Sequence, residues 1–229
     1  MAKISKRVKK IKTIEFPTSP VSPAEALDLI DKYSKLAKVK FDESIDVGFH
    51  LTLEPGKNVN SSTVLPHGNG KKQKVIAFVD DSEVKACLEA GATKAGLDSL
   101  IEEIVGGFAD FDKCVASQAV LPTVSKKLAK ILGPKGLLPS IKSGTVGADP
   151  VAILKNVLGG QVSFKSSKTG SLSASVARVS FSKEKILQNI SAFISAVKTC
   201  KPAGAKSYIK SVSISTTMGP GIKINPNNA

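Results

Sequence analysis

Residues able to do covalent chemistry are few and scattered in this sequence. Cys87, Cys114 and Cys200 are widely separated and odd in number, with no metal-ligand or redox-motif spacing. They read as small hydrophobes, buried in a reducing compartment. His50 and His67 stand alone, which leaves few options for general acid-base work. No GxSxG, HExxH or paired-carboxylate framework occurs. GNGKK, from Gly68, lacks the spacing and the Ser/Thr of a P-loop. Where a nucleotide fold places a glycine-rich turn, after the first buried strand, this chain has Asp80-Asp81-Ser82, whose carboxylates repel a phosphate. The expectation is a protein with no catalytic residues, no metal and no cofactor. The alternative, a basic nucleotide-dependent enzyme acting on RNA, would need a phosphate loop that the chain lacks.

The chemistry that remains is binding. A net charge of +14 and a pI of about 9.7 exceed what solubility needs and ask for an anionic partner, nucleic acid before an acidic membrane surface. No apolar run approaches a membrane span and no signal peptide is visible, so a cytoplasmic protein is expected. Lys3, Lys6, Arg7, Lys9, Lys10 and Lys12 form a basic arm suited to phosphates. Near the other end, YIKSVSISTTM sets Tyr208, Val212 and Ile214 on one side and Ser211, Ser213, Ser215 and Thr217 on the other. A solvated sheet face normally carries long charged side chains. A row of short hydroxyls instead lets a partner approach the backbone and hydrogen-bond through sugar and phosphate oxygens. Met218 adds a deformable apolar contact, and Gly219 and Gly221 remove Cβ obstruction. Such a strand suits reading RNA by its 2′-hydroxyls and shape. Aromatic residues make up only 5% of the chain, which disfavours a base-stacking platform. The glycine- and lysine-bearing stretch Leu132 to Gly147 is a second candidate for contact with a phosphate chain, with Leu137 and Leu138 expected to be exposed.

These residues need a scaffold. Ser22, Pro23 and Glu25 spell a capping box opening a helix with Leu27, Ile30, Tyr33 and Ala37 on one face. FDESIDVGFHLTL alternates as a long half-buried strand, and EPGKNVNSSTVLPHGNGKKQ reads as a linker. KVIAFV is a continuous apolar run of the kind buried in parallel sheets. Helices follow around SEVKACLEAG, LDSLIEEIVGG and LPTVSKKLAKILG, the last stopped by Gly133, with apolar CVAS between. QVSFKSSKTGSLSASVARVSF reads as a hairpin turning at Lys168-Thr169-Gly170. A helix capped by Ser182 carries Ile186, Ile190, Phe193 and Val197 on one face and ends at Pro202 and Gly204, before the last strand. The expected fold class is α/β with α+β: a split β-α-β RNA-binding domain (1–68 and 160–229) interrupted by an inserted Rossmann-like three-layer α/β domain (69–159).

LPHGNGK, ILGPKGLLPSIKSGTV, KTGSL and above all STTMGPGIKI closely resemble the bacterial large-subunit ribosomal protein L-one family, over almost the whole chain. The resemblance implies a protein of the mobile ribosomal stalk beside the tRNA exit site, monomeric when free. Its implied partners are the stalk region of large-subunit rRNA, exit-site tRNA whose release it assists, and its own messenger RNA, whose translation it represses. Carried over by position, it implies RNA contacts at Lys40, Phe41, Ser44, Lys165, Lys168, Thr169, Ser211, Thr217, Met218 and Gly219. This chain departs from the family at Ser167, usually Asp, and Ser173, usually His. Its KNVNSSTVLPHG segment is also short and lacks a customary arginine.

Overall fold

The computed structural model describes residues 17, 19–37, 39–53, 58–201 and 208–225. The basic arm and the Pro202–Gly204 helix stop lie outside them. The chain forms two compact units, one of residues 1–59, 65–70 and 164–229, the other of residues 60–64 and 71–163.

The first unit is built on β1 (Ser44–Leu51), whose residues alternate between buried and half-buried along its whole length. β8 (Ser171–Arg178) and β9 (Ile209–Thr216) both pair antiparallel with β1, one on each side, and β10 (Ile222–Ile224) pairs with β9. β8 and β9 are therefore parallel to each other across β1 and are joined through a helix (Lys183–Thr199), which makes a split β-α-β unit. That helix and α1 (Pro23–Leu36) supply the apolar side chains of the core. Ile45, Val47, Phe49, Leu51, Val212 and Ile214 are buried, as are Leu27, Ile30, Tyr33, Ile186, Ile190 and Phe193. The Phe193 ring meets Phe49 and Phe164 edge-on at 5.5 and 5.3 Å, the arrangement aromatic quadrupoles favour. α1 opens with the expected capping box: the Ser22 hydroxyl accepts from the Glu25 amide, and the Glu25 carboxylate accepts from the Ser22 amide. Ser182 stands at the N-cap of its helix but makes no capping hydrogen bond.

In the second unit β3 (Val75–Phe78) lies between β4 (Lys94–Gly96) and β5 (Lys113–Ser117), and β5 pairs with β6 (Val146–Gly147), all parallel. The apolar runs are continuous because both faces are covered. Ile76, Phe78, Cys114 and Ala116 pack with residues of α3 (Asp98–Val105) and α4 (Leu121–Lys135). Val75, Ala77, Val79 and Val115 pack with Cys87 of α2 (Val84–Glu89) and with Leu154 and Val157 of α5 (Pro150–Leu158). This is a three-layer α/β unit; the helix of the first unit, Lys183–Thr199, is α6.

The structure corrects several expectations. α4 does not stop at Gly133. It runs through Pro134, whose missing amide costs only one bond near the helix end, and closes at Gly136 in the left-handed region with φ 69°. Leu137 and Leu138 are not exposed, because they pack against the Ile76–Phe78 side of the core. The exposed apolar side chain of that loop is Ile141, at 65%. The expected linker contains a strand, β2 (Asn60–Val64), which pairs with β7 (Gln161–Lys165). β7 and β8 therefore do not form a hairpin ladder. The chain does turn tightly between them, with the Ser167 amide donating to the Ser171 carbonyl at 2.7 Å, but the two strands join different sheets. β9 is not the last strand, since the Met-Gly-Pro-Gly turn returns the chain as β10.

Candidate nucleic-acid interface

The half of β1 that the helices do not cover carries Ser44, Asp46, Gly48 and His50. The register sets His50 between Ser171 and Ser211, Gly48 between Ser173 and Ser213, and Asp46 between Ser175 and Ser215. Three strands thus present six serines in three rows, with the smallest residue at the centre. A Cβ on Gly48 would lie 3.2 Å from the Ser213 hydroxyl, so the centre of the face has room only for a glycine or a slight adjustment. Gly48, His50, Ser171, Ser173, Ser211 and Ser213 line a shallow groove of about 680 Å³, bordered by Lys165.

At one end of this face the expected contact residues are tied to each other. The Thr217 hydroxyl accepts from the Ser44 amide at 3.0 Å, and the Thr217 amide donates to the Ser44 carbonyl at 3.1 Å. The Met218 carbonyl accepts from the buried Tyr33 hydroxyl at 2.9 Å, while the Met218 side chain is 52% exposed. The Gly219 amide donates to the Thr216 carbonyl at 3.1 Å. Thr217 and Gly219 therefore build the turn that holds Met218 out into solvent.

At the other end Lys165 and Ser211 share the groove, and Lys168 and Thr169 are exposed in the adjoining turn. The Ser167 hydroxyl accepts from the Ser171 amide at 3.1 Å and lies 2.7 Å from the Thr169 hydroxyl. Ser167 thus supplies the turn-closing acceptor that a short carboxylate would otherwise provide. Gly170, with φ 82°, is fixed by the same turn: a Cβ there would lie 2.2 Å from the Leu51 carbonyl oxygen.

The expected residues thus fall into two groups, about 20 Å apart along the six steps of β1 from Ser44 to His50, with the serine rows between them. Lys40 is exposed just before β1. Phe41, 51% exposed, is not in the groove. It lines a separate cavity of about 400 Å³ beside Asp31, Val39, Asp42, Glu43 and Val179. Sequence reasoning left Asp46, Gly48, His50, Ser171, Ser173 and Ser175 out of the site. The alternation in SLSASVA was the available signal, but the register that aligns it with β1 is a long-range fact.

Charge follows the same division. The first unit holds 21 of the 33 basic residues against nine of the 19 acidic ones, a net +12, and the second unit 12 against 10, a net +2. Among the described residues no group of His, Cys, Asp or Glu could hold a metal ion, and no helix is long and apolar enough to cross a membrane. The two buried thiols are inert: burial pushes Cys114 up to about 12, and burial, helped by Glu83, also raises Cys87.

The comparisons with known proteins agree with the sequence resemblance. The chain is 42% identical over 197 residues to the large ribosomal subunit protein uL1 of Thermus thermophilus, covering 84% of this chain and 86% of that one. It is 44% identical over 194 residues to uL1 of Hydrogenovibrio crunogenus (83% and 84%), and 42% identical over 193 residues to uL1 of Deinococcus radiodurans (82% and 83%). Residues 32–220 match the Ribosomal protein L1p/L10e family. The chain belongs to that family, whose members are structural rather than catalytic.

Proposed function

We propose that the protein is a constituent of the large ribosomal subunit in the cytoplasm and that its first unit holds the stalk region of large-subunit rRNA. In this reading the chain also assists release of deacylated tRNA from the exit site and represses translation of its own messenger RNA, by binding a mimic of the ribosomal site. The observation that carries it is the bare face of the β10-β9-β1-β8 sheet. Six serines stand in register on the more basic unit, four of them lining the lysine-bordered groove and the last pair toward the Thr217-Met218-Gly219 turn. Short hydroxyls donate and accept, so they can pair with 2′-hydroxyls and phosphate oxygens, and their size admits a helix backbone. Lys40, Lys165 and Lys168 supply phosphate contacts. Ser44, Thr169, Ser211, Thr217, Met218, Gly219 and Phe41 supply shape. We further propose that the second unit is an insertion into a self-sufficient RNA-binding unit.

The test is binding to isolated stalk RNA and to an unrelated duplex across a salt series, for the wild type and Met218→Asp. Charge alone binds both RNAs, and that component falls steeply as salt rises. A stalk preference that persists at physiological salt and drops about tenfold in the variant, roughly 1.4 kcal/mol, supports the reading. Parallel loss on both RNAs refutes it.

A further inference from the structure

One charged side chain on the serine face is of the wrong sign for phosphate. Asp46 is the third residue of β1, in the outer row between Ser175 and Ser215, on a unit with a net charge of +12. Its carboxylate makes no hydrogen bond or ion pair with any described residue. Of the acids nearby, Asp42 accepts from the Ser180 amide and hydroxyl, and Asp31 pairs with Lys35. Asp46 lies about 7 Å from Ser44 and about 14 Å from His50 along the strand, between the two groups of contact residues. A carboxylate here opposes any phosphate that approaches this row of the face, and it has no structural partner to account for it.

We propose, resting on the RNA reading above, that Asp46 is a specificity-determining residue that accepts a hydrogen bond from a guanine N2 amine in the RNA minor groove. An ionised carboxylate only accepts. The A-form major groove is too deep and narrow for side chains, whereas the minor groove is wide and shallow and displays 2′-hydroxyls and base edges. On those edges N3 and O2 atoms accept, and the guanine N2 amine is the one donor. The serines match the hydroxyls, which donate and accept. Asp46 matches the amine and rejects both phosphate and the acceptor-only edge of an A·U pair. A face of short side chains with glycine at its centre lets such a groove approach the backbone closely.

The experiment is a cycle between protein and RNA. Wild type and Asp46→Ser, which extends the hydroxyl rows, are titrated with synthetic stalk RNAs in which guanines are replaced one at a time by inosine, which lacks the N2 amine. Asp46→Asn serves if the serine variant does not fold. An unrelated duplex is titrated in parallel. At one guanine, inosine costs the wild type about tenfold and the variant nothing. The variant also binds the unrelated duplex more tightly than the wild type does, because a charge that repels phosphate is gone. Equal inosine penalties in both proteins, or no penalty at any guanine, overturn the assignment. So does coupling of Asp46 to a 2′-deoxy substitution with none to inosine. If the wild type shows no preference for stalk RNA over the duplex, it is the RNA reading that fails, before this assignment is reached.

Discussion

Gly219→Ala tests whether the turn beyond β9 is held by packing or left open for a partner. A Cβ built on Gly219 lies 2.3 Å from the Thr216 hydroxyl oxygen and 3.2 Å from Tyr33 Cε1. The first distance is 0.7 Å inside the 3.0 Å that real Cβ contacts respect. Neither neighbour can give way cheaply. Thr216 is β-branched and 3% exposed, so its side chain has little freedom to turn away. Tyr33 is 1% exposed and its hydroxyl is bonded to the Met218 carbonyl. The added methyl must therefore push the turn outward, at about 1–3 kcal/mol, the usual range for overpacking a filled site. The urea midpoint reads this directly. Thr216→Ala removes the clash, leaving the Thr216 Cβ at an ordinary 3.5 Å. That change is itself mild, since the Thr216 hydroxyl is buried without a hydrogen-bond partner among the described residues. In the Thr216→Ala background Gly219→Ala should therefore cost less than about 1 kcal/mol, a non-additivity that marks direct contact. RNA affinity should fall in the single variant and return in the double, because the glycine acts by placing Met218. An unchanged midpoint in Gly219→Ala, or the same loss in both backgrounds, refutes the packing argument. Stability that returns without affinity would mean that the partner packs on Gly219 itself.

At pH 8 a thiol reagent should label Cys200 alone among the three cysteines of the native protein, and all three once it is unfolded, because Cys87 and Cys114 are fully or almost fully buried. The same burial sets a pH dependence. A thiol raised in the folded state ionises first in the unfolded chain, so its contribution to stability is complete below the ordinary value of 9.0 and is lost as pH rises toward about 12. Alkaline unfolding that a Cys114→Ala variant shows with identical pH dependence would remove that cause. Deleting residues 71–163, with a short glycine-serine bridge from Gly70 to Phe164, should leave a cooperatively unfolding protein that keeps the salt slope of RNA binding, because 21 of the 33 basic residues remain. A remainder that is unfolded, or one that has lost most of the slope, would contradict the insertion reading.

What the sequence made readable was local. The capping box at Ser22 and Glu25, the alternation of β1 and the apolar run of β3 each announce themselves within a few residues, because caps and faces are set by near neighbours. β2 could not be read this way. Asn-Ser-Ser-Thr-Val has no apolar alternation, and it is a strand only because β7, about a hundred residues later, offers it a hydrogen-bonding edge. β10 is three residues long and exists because the turn before it returns the chain against β9. Gly133 and Gly136 are both plausible helix stops in sequence. The left-handed backbone at Gly136 decides between them, with Leu137 and Leu138 packing onto the core beyond it.

The candidate site follows the same rule. The hydroxyl row of β9 was visible because Ser211, Ser213 and Ser215 alternate within the strand and Thr217 continues the period just past it. Gly219 was also visible, as space kept open for a partner; what the sequence did not show is that Thr216 and Tyr33 also crowd it from within. Asp46 and His50 looked like the ordinary wet half of an alternating strand. An alternating pattern tells which side of a strand is dry. It does not tell which residues of other strands will share a row on the wet side, because that is fixed by register. Only the pairing of β1 with both β8 and β9 converts scattered serines into three rows with Asp46 among them. A chemically distinct residue stands out on a surface only once its neighbours are known. On a face of hydroxyls, in a unit dominated by lysine, one unpaired carboxylate is such a residue.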